Sequence, residues 1–447
     1  MGKPTGFIDY QRVDSPSTAP EKRVKNSEWF HTEMDVQTRA EQAGRCMDCG
    51  VPFCQAGIQL DGHLLGCPLR NLIPEWNDQL WQGNLPMALE RLLLTNCFPE
   101  FTGYVCPAPC EDACACGKVS APVSVNANER YIIEQAFRQG LLAPNPPRRR
   151  SGMSVAVVGS GPAGLTAAAL LNQRGHAVTV YERDKAPGGL LTYGIPNMKL
   201  PKEVVARRIQ FMKDEGVAFE CGVNVGPDIS IEELAEKYDA VCLAIGAQQP
   251  REVAFDGEAE GVMFALDYLG AAAREQLGEK ALDAKFNAAG KTIAIVGAGD
   301  SANDCIATAL RQGATDVIQL IRRPASDYAP MTDYAHEEAD AVLGHDIRRF
   351  QTKVAAVHAG EAGELKALTL STADGEVEAN ADMLVIASGF SGAQDYATKG
   401  TNIAALNNVF TAGDMAIGAS LVVRAMADAR RTARDIDVYL MGYSNIS

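Results

Sequence analysis

The stretch MSVAVVGSGPAGLTAAALLNQRGHAVTVYE (153–182) decides the fold. It opens with a short apolar run of the kind found in strands buried on both faces of a parallel sheet. A glycine-rich turn follows, then an uncharged helix-like segment rich in alanine and leucine, then a second apolar strand ending in Glu182. The turn is Gly159, Ser160, Gly161, Pro162, Ala163 and Gly164, an intact G-x-G-x-x-G. The first glycine permits the tight turn, the second lets the backbone approach a pyrophosphate, and the third lets helix and strand pack closely. The helix N-terminus then faces the diphosphate with unpaired N–H groups. Glu182 stands 23 residues after Gly159, where a carboxylate can accept a hydrogen bond from a ribose 2′-hydroxyl. Residues 151–173 carry no charge and are long enough to cross a bilayer. Five of the first fourteen are glycine or proline in this fingerprint, so the segment reads as strand, turn and helix rather than as a membrane span.

The pattern returns about 140 residues later in KTIAIVGAGDSANDCIATALRQGATDVIQLIRR (291–323). Its turn is Gly297, Ala298, Gly299, Asp300, Ser301 and Ala302, with alanine tolerated at the third site. Arg322, followed by Arg323, occupies the position that Glu182 holds in the first copy. A ribose diol calls for a carboxylate acceptor, whereas a 2′-phosphate calls for a guanidinium. The second site is therefore expected to prefer NADPH to NADH; the alternative is a solvated pair of loop arginines. DAVCLAIGA (239–247) and DMLVIASGF (382–390) read as corresponding buried strands. NNVFTAGDMAIGASLVVRAMADARR (407–431) reads as a strand, a turn carrying Gly413 and Asp414, and a helix. In many FAD-binding enzymes a late G-D of this sort meets the ribityl and pyrophosphate region, which puts FAD in the first copy. Taken alone, the G-D is an ordinary turn.

With 447 residues the chain is long enough for about three domains. Its 47% hydrophobic and 22% charged residues exclude disordered and fibrous classes. A formal charge of −15 argues against nucleic acid and against general attachment to anionic lipid. MGKPTGFIDYQRVDSP (1–16) lacks the apolar run of a secretory signal, so a cytoplasmic protein is expected. Nine of the 12 cysteines lie between Cys46 and Cys116, and in a cytosolic chain such clustering points to metal or redox chemistry rather than disulfides. The groups are Cys46-x2-Cys49-x4-Cys54 with Cys67-Pro68, and Cys106-Pro107-x2-Cys110-x3-Cys114 with Cys116. Tight turns of thiols with a distant fourth ligand suit iron–sulfur clusters. Zinc is the rival, although His63 is the only histidine near enough to help. Clusters, flavin and NADPH form one argument. NADPH gives up a hydride, a cluster accepts one electron at a time, and a flavin joins the two. No nucleophile–His–Asp arrangement is visible, so no catalytic side chain is named. A zinc-bound scaffold with vestigial nucleotide folds is the rival from another class.

RCMDCGVPFC, GCPLRNLIPEWND, TNCFPEFTGYVCPAPCEDAC, DYAHEEA and the two glycine turns resemble the family of small (beta) subunits of bacterial NADPH-dependent glutamate synthases. The resemblance covers nearly the whole chain. Related electron-input modules occur in dihydropyrimidine dehydrogenase and in ferredoxin:NADP transhydrogenases. The resemblance implies two interleaved 4Fe-4S clusters. One would use Cys46, Cys49, Cys54 and Cys114; the other would use Cys67, Cys106 and Cys110, with Glu129 of APVSVNANE as a non-cysteine ligand. Cys97 and Cys116 are left spare. Gly189, Leu190 and Lys199 of GGLLTYGIPNMKLP would lie near the flavin.

The expected fold class is α/β: a helical N-terminal two-cluster iron–sulfur domain (1–145) followed by two Rossmann-like dinucleotide-binding domains. The FAD domain takes 146–285 and is completed by 391–447, with the NADPH domain inserted at 286–390. LLAPNPPRRRSG (141–152) reads as a solvated linker, with a phosphate site as the alternative reading of its arginines. By resemblance, the chain feeds electrons to a large (alpha) subunit carrying FMN and a glutamine amidotransferase domain, which makes L-glutamate from L-glutamine and 2-oxoglutarate. A stand-alone or differently partnered NADPH:acceptor oxidoreductase of the same build is the alternative.

Overall fold

In the computed structural model, which describes residues 3–60, 63–328, 333–393, 398 and 400–446, the fold is organised around two parallel sheets. The first has the order Val409–Thr411, Ala240–Leu243, Ser154–Val158, Ala177–Glu182, Ala218–Cys221. Its middle strand is buried from Val155 to Val158, as its unbroken apolar run requires. The helices Pro162–Gln173 and Val422–Met441 pack together against it. The second sheet has the order Arg348–Phe350, Asp316–Ile321, Thr292–Val296, Met383–Ile386, Val262–Phe264, again all parallel. In both, the strand that enters the glycine turn is central. Strands continue to one side of it and the chain returns to the other. The carboxyl end of such a strand is a topological switch point, where open α/β sheets bind ligands.

Two features differ from the sequence reading. Val262–Phe264 pairs with Met383–Ile386 in the second sheet, although 146–285 was expected to belong to the first unit. A three-residue strand without a glycine turn carries too little pattern to show which sheet it joins. The second unit also holds an antiparallel sheet, Lys353–Ala359, Leu365–Thr372 and Gly375–Asn380, which the reading did not foresee. Its inner face closes a core with Ala294, Leu320 and Leu384 of the parallel sheet.

The N-terminal part is helical, to within one residue, at 86–94 and 126–139, two pieces of its sequence that read as helix-like. Leu85–Leu93 starts at Asn84, whose side chain accepts from Met87 N, and buries Ala88, Leu89 and Leu92. Val125–Arg138 crosses Pro99–Val105 so closely that a Cβ on Gly103 would lie 2.9 Å from Arg130 Cα. One apolar core runs without a break from Trp76, Phe101 and Ile132 of this part to Leu165 and Met426 of the first dinucleotide unit. A buried Arg208–Glu100 ion pair and a bidentate Arg207–Glu134 pair cross the same boundary. The N-terminal arm reaches the second unit: Arg23 Nε donates to Glu338 at 2.7 Å, and Phe30 joins that unit's core. In the linker, Arg148 and Arg149 are exposed. Arg150 is tied down, donating to Asn172 Oδ1 at 2.7 Å and to His176 O at 2.9 Å. Among the described residues no helix is long and apolar enough to cross a membrane.

Candidate functional site

A cavity of about 880 Å³ opens between the two dinucleotide units. The first turn lines it from Gly159 to Ala163, joined by Glu182, Gly189, Leu190, Asp414 and Val422. The second unit contributes Phe264, Ser301, Ala387 and Gly389. The three glycines of the first turn are not equivalent. Gly159 has φ +97°, and an added Cβ would lie 2.5 Å from Ala244 O. A Cβ on Gly164 would come within 1.9 Å of Gly159 O, so helix and strand could not close. Gly161 has nothing within 4 Å of that position, so its face is free for a ligand. The protein's own backbone thus needs the outer two glycines, while the middle one keeps space open.

Glu182 is buried against this turn. It accepts from Ser160 N at 3.1 Å, from Ser160 Oγ and from Asp184 N at 3.0 Å. An ionised carboxylate offers about four acceptor sites, so the chain's own donors take most of them and about one remains for a further donor. Ser160 Oγ in turn accepts from Gly188 N at 2.8 Å, which ties the Gly188–Gly189 bend to the turn. The late G-D is locked to the same place. Gly413 has φ +69°, its added Cβ would sit 2.4 Å from Ala163 Cβ, and its N–H donates to Asp428 at 2.7 Å. Burial pushes the Asp414 carboxyl above its ordinary range, while Ser420 Oγ donates to it at 2.5 Å.

The second turn repeats the geometry. Gly297 has φ +142°, with Ala387 O 2.5 Å from an added Cβ, and Gly299 is open. Arg322 and Arg323 follow the strand Asp316–Ile321 as exposed loop residues outside the large cavity. Lys199, expected near the flavin, does not line the cavity. It pairs with Asp304 at 3.1 Å and Asp300 at 3.6 Å, on the helix that starts at the second turn. Burial alone would lower its pKa, but these two carboxylates outweigh that and raise it.

The cysteines fall into two groups around two smaller cavities. Cys46, Cys49, Cys54 and Cys114 line one, with Cys116 beside them. Cys67, Cys106, Cys110 and Glu129 line the other. Burial, and the mutual repulsion that thiolates would feel, push the Cys46 and Cys54 thiols up to about 12; burial, with the nearby Glu129 carboxylate, pushes Cys67 up to about 11. Cys106 and Cys110 are raised by burial as well. Such thiols give up their protons when a cationic centre compensates the charge, which is what a metal-bearing donor set needs. Among the described residues no His, Cys, Asp or Glu side chains converge in threes on the position of a single ion. Cys97 lies apart, 3.9 Å from Thr166 Oγ1. The side chain of His63 is outside what the structure describes.

Eight contributing residues escaped the sequence reading. Ser160 occupies a variable position of the motif. Lys202, whose pKa burial pulls down to about 7, donates to Leu191 O at 2.9 Å and to Ile195 O, clasping the loop that lines the cavity. Asn71 and Asn96 donate to Glu129. Finally, Val422 lines the dinucleotide cavity while its neighbour Val423 lines the Cys67 cavity, and Ile73 and Val125 line both cysteine cavities.

Residues 153–429 match the family model described as pyridine nucleotide-disulphide oxidoreductase. Residues 23–141 match the one described as dihydropyrimidine dehydrogenase domain II, 4Fe-4S cluster. The glutamate synthase (NADPH) small chain of Bacillus subtilis is 41% identical over 99% of this chain and 99% of its own length. The glutamate synthase (NADH) of Schizosaccharomyces pombe is 38% identical over 99% of this chain but only 23% of its own length. Among solved structures, FprA of Mycobacterium tuberculosis in complex with NADPH superposes with a TM-score of 0.51 at 20% identity, covering 65% of this chain and 85% of that one, a likeness of fold.

Proposed function

Because the chain belongs to the family of glutamate synthase small chains, we propose that it is the electron-input member of a glutamate synthase. It oxidises NADPH with FAD and passes electrons through two 4Fe-4S clusters to a large partner chain. One observation carries this reading. Three cavities follow one another through shared or adjacent residues: the dinucleotide cavity, the Cys67 group and the Cys46 group. That row supports an electron route from the flavin to the Cys67 group and on to the Cys46 group.

The donor sets fit the groups they would hold. The open faces at Gly161 and Gly299 leave room for two pyrophosphates at two helix N-termini. Glu182 would take the ribose of FAD, and Arg322 with Arg323 the 2′-phosphate of NADPH. A single zinc ion needs its ligand sulfurs about 2.3 Å from one point. Here Cys46, Cys49, Cys54 and Cys114 line one cavity and Cys67, Cys106 and Cys110 with Glu129 line another, an arrangement of thiols around a space that supports clusters. Bound flavin supplies the conversion of a hydride into single electrons. The chain's own residues bind and orient: Ser160 and Glu182 hold the first turn, Gly413 locks the tail on Ala163, and Lys202 holds the loop that lines the cavity. The Cys46 group ends the row, and Met47 and Phe53, two of its lining residues, are exposed. Electrons leave the chain there.

In the Schizosaccharomyces pombe relative the matching segment is about a quarter of one polypeptide, which supports a synthase chain as the physiological acceptor. We take that partner to carry FMN and a glutamine amidotransferase domain. The test is anaerobic purification with spectroscopy. The expected result is flavin bands over a broad iron–sulfur absorbance, bleached by NADPH. Glutamate synthesis should appear only when the large chain is added. A colourless reconstituted protein would overturn the reading, and a bleachable protein that never supports glutamate synthesis would leave a different acceptor.

A further inference from the structure

Glu129 lies buried on the helix Val125–Arg138 and lines the cavity with Cys67, Cys106 and Cys110. All three of its hydrogen bonds go to one oxygen. Oε1 accepts from Asn96 Nδ2 at 2.6 Å, Thr102 Oγ1 at 3.0 Å and Asn71 Nδ2 at 3.3 Å. None of the hydrogen bonds among the described residues reaches Oε2. The two amides cannot turn round. Asn71 Oδ1 accepts from Trp76 Nε1 and from Thr95 Oγ1, both at 3.1 Å, and Asn96 Oδ1 accepts from Phe98 N at 3.0 Å. Indole and backbone N–H groups only donate, so each amide must present its NH2 to Glu129. The third donor is fixed as well. Asn96 Nδ2 also donates to Thr102 Oγ1 at 2.7 Å, and the Thr102 hydroxyl proton has its shortest acceptor in Glu129.

Three locked donors on one oxygen do two things. They compensate a buried carboxylate, whose ionised form accepts without donating. They also hold it in one orientation, with Oε1 spent and Oε2 left for the cavity. We propose, resting on the cluster reading above, that Asn71, Asn96 and Thr102 are positioning residues that make Glu129 a one-oxygen ligand of the centre held by Cys67, Cys106 and Cys110. The all-cysteine centre has no counterpart of this cradle. Hydrogen bonds to Oε1 draw electron density from the carboxylate, so they raise the reduction potential of this one centre. The same loop is pinned from the flavin side, since Arg430 of the last helix donates to Thr95 O at 2.7 Å. The cradle and the flavin unit are therefore mechanically joined.

The test uses the full chain, reconstituted anaerobically with iron and sulfide. Thr102→Val removes one donor and keeps the shape; Thr102→Ser restores the hydroxyl. The expected result for Thr102→Val is an altered paramagnetic signal and a lower potential at one centre, an unchanged second centre, an iron affinity about 10- to 100-fold weaker at the altered centre, and recovery in Thr102→Ser. Glu129→Gln, whose amide turns NH2 toward the cavity when its oxygen fills the cradle, should lose about half of the bound iron. Cys106→Ser separates the two levels of the argument. If it leaves iron unchanged, the ligand reading itself fails. If it removes iron while Glu129→Gln and Thr102→Val leave iron, signal and potential as in the wild type, the cluster reading stands and the cradle is overturned.

Discussion

Replacing the second glycine of the first turn by alanine separates what the fold needs from what the ligand needs. Gly161 has φ −67°, already comfortable for an L-residue, and an added Cβ meets nothing within 4 Å. Gly161→Ala should leave the stability of the flavin-free chain within about 1 kcal/mol of wild type, because no contact is broken and the unfolded chain loses entropy. The new methyl group would occupy the space through which a pyrophosphate approaches the backbone. If it forces out two charge-assisted hydrogen bonds of about 1.5–3 kcal/mol each, FAD affinity falls about 10²- to 10⁴-fold. Gly164→Ala makes the contrast. Its Cβ would lie 1.9 Å from Gly159 O, a backbone atom that cannot swing away, so destabilisation of about 3 kcal/mol or more is expected. Gly299→Ala, equally open, should keep flavin and lose NADPH. Flavin released per chain, nucleotide titration and melting of flavin-free protein read all three. Tight flavin binding by Gly161→Ala, or a collapse of its melting temperature, would refute the division of labour among these glycines.

Arg322→Ala combined with Arg323→Ala removes two exposed guanidinium groups. At about 1–2 kcal/mol each, NADPH binding should weaken roughly 30- to 10³-fold with NADH little changed, and the difference should shrink in high salt. Equal losses for both nucleotides would end the 2′-phosphate assignment. Cys49→Ser should lower bound iron by about half, and Cys97→Ser should not lower it, as iron and sulfide assays would show. His31 gives a pH test. Burial first, and then the charge of Arg130, pull its pKa from 6.5 down to about 4. Between those values the unfolded chain binds the extra proton, so stability is full above pH 6.5 and is lost as the pH falls toward 4, by up to about 3 kcal/mol. Melting curves across that range should flatten in His31→Phe; an unchanged slope would remove His31 from the account.

Much of the site was legible because its parts are local. A strand, a turn whose glycines are set by φ and close approach, and a helix fit within about thirty residues, and their order is written in periodicity. The helices Leu85–Leu93 and Val125–Arg138 lie within one residue of the helix-like pieces 86–94 and 126–139 of the sequence. Lys199 was harder. Its sequence neighbours Leu191, Tyr193 and Ile195 line the large cavity, but its partners Asp300 and Asp304 come from the other unit. The short strand Val262–Phe264 was misassigned for the same reason, since only its hydrogen bonds to Met383–Ile386 say which sheet it completes.

The sequence by itself determined the kinds of residue pattern present: two glycine turns of the dinucleotide-binding kind, a carboxylate after one and a guanidinium pair after the other, and a cluster of cysteines in a chain without basic character. Each of these is encoded in neighbouring residues, whose φ preferences and polarity act over one or two turns of chain. Spacing could not say which thiols share a centre, and the grouping came from family resemblance. Tertiary structure alone brings Cys114 to Cys46 while the nearby Cys110 faces Glu129, and turns Asn71 and Asn96 onto one oxygen of that glutamate. It alone stacks the three cavities through Val422, Val423, Ile73 and Val125. These are contacts between segments far apart in sequence, fixed by how buried helices pack, and no local pattern carries that information.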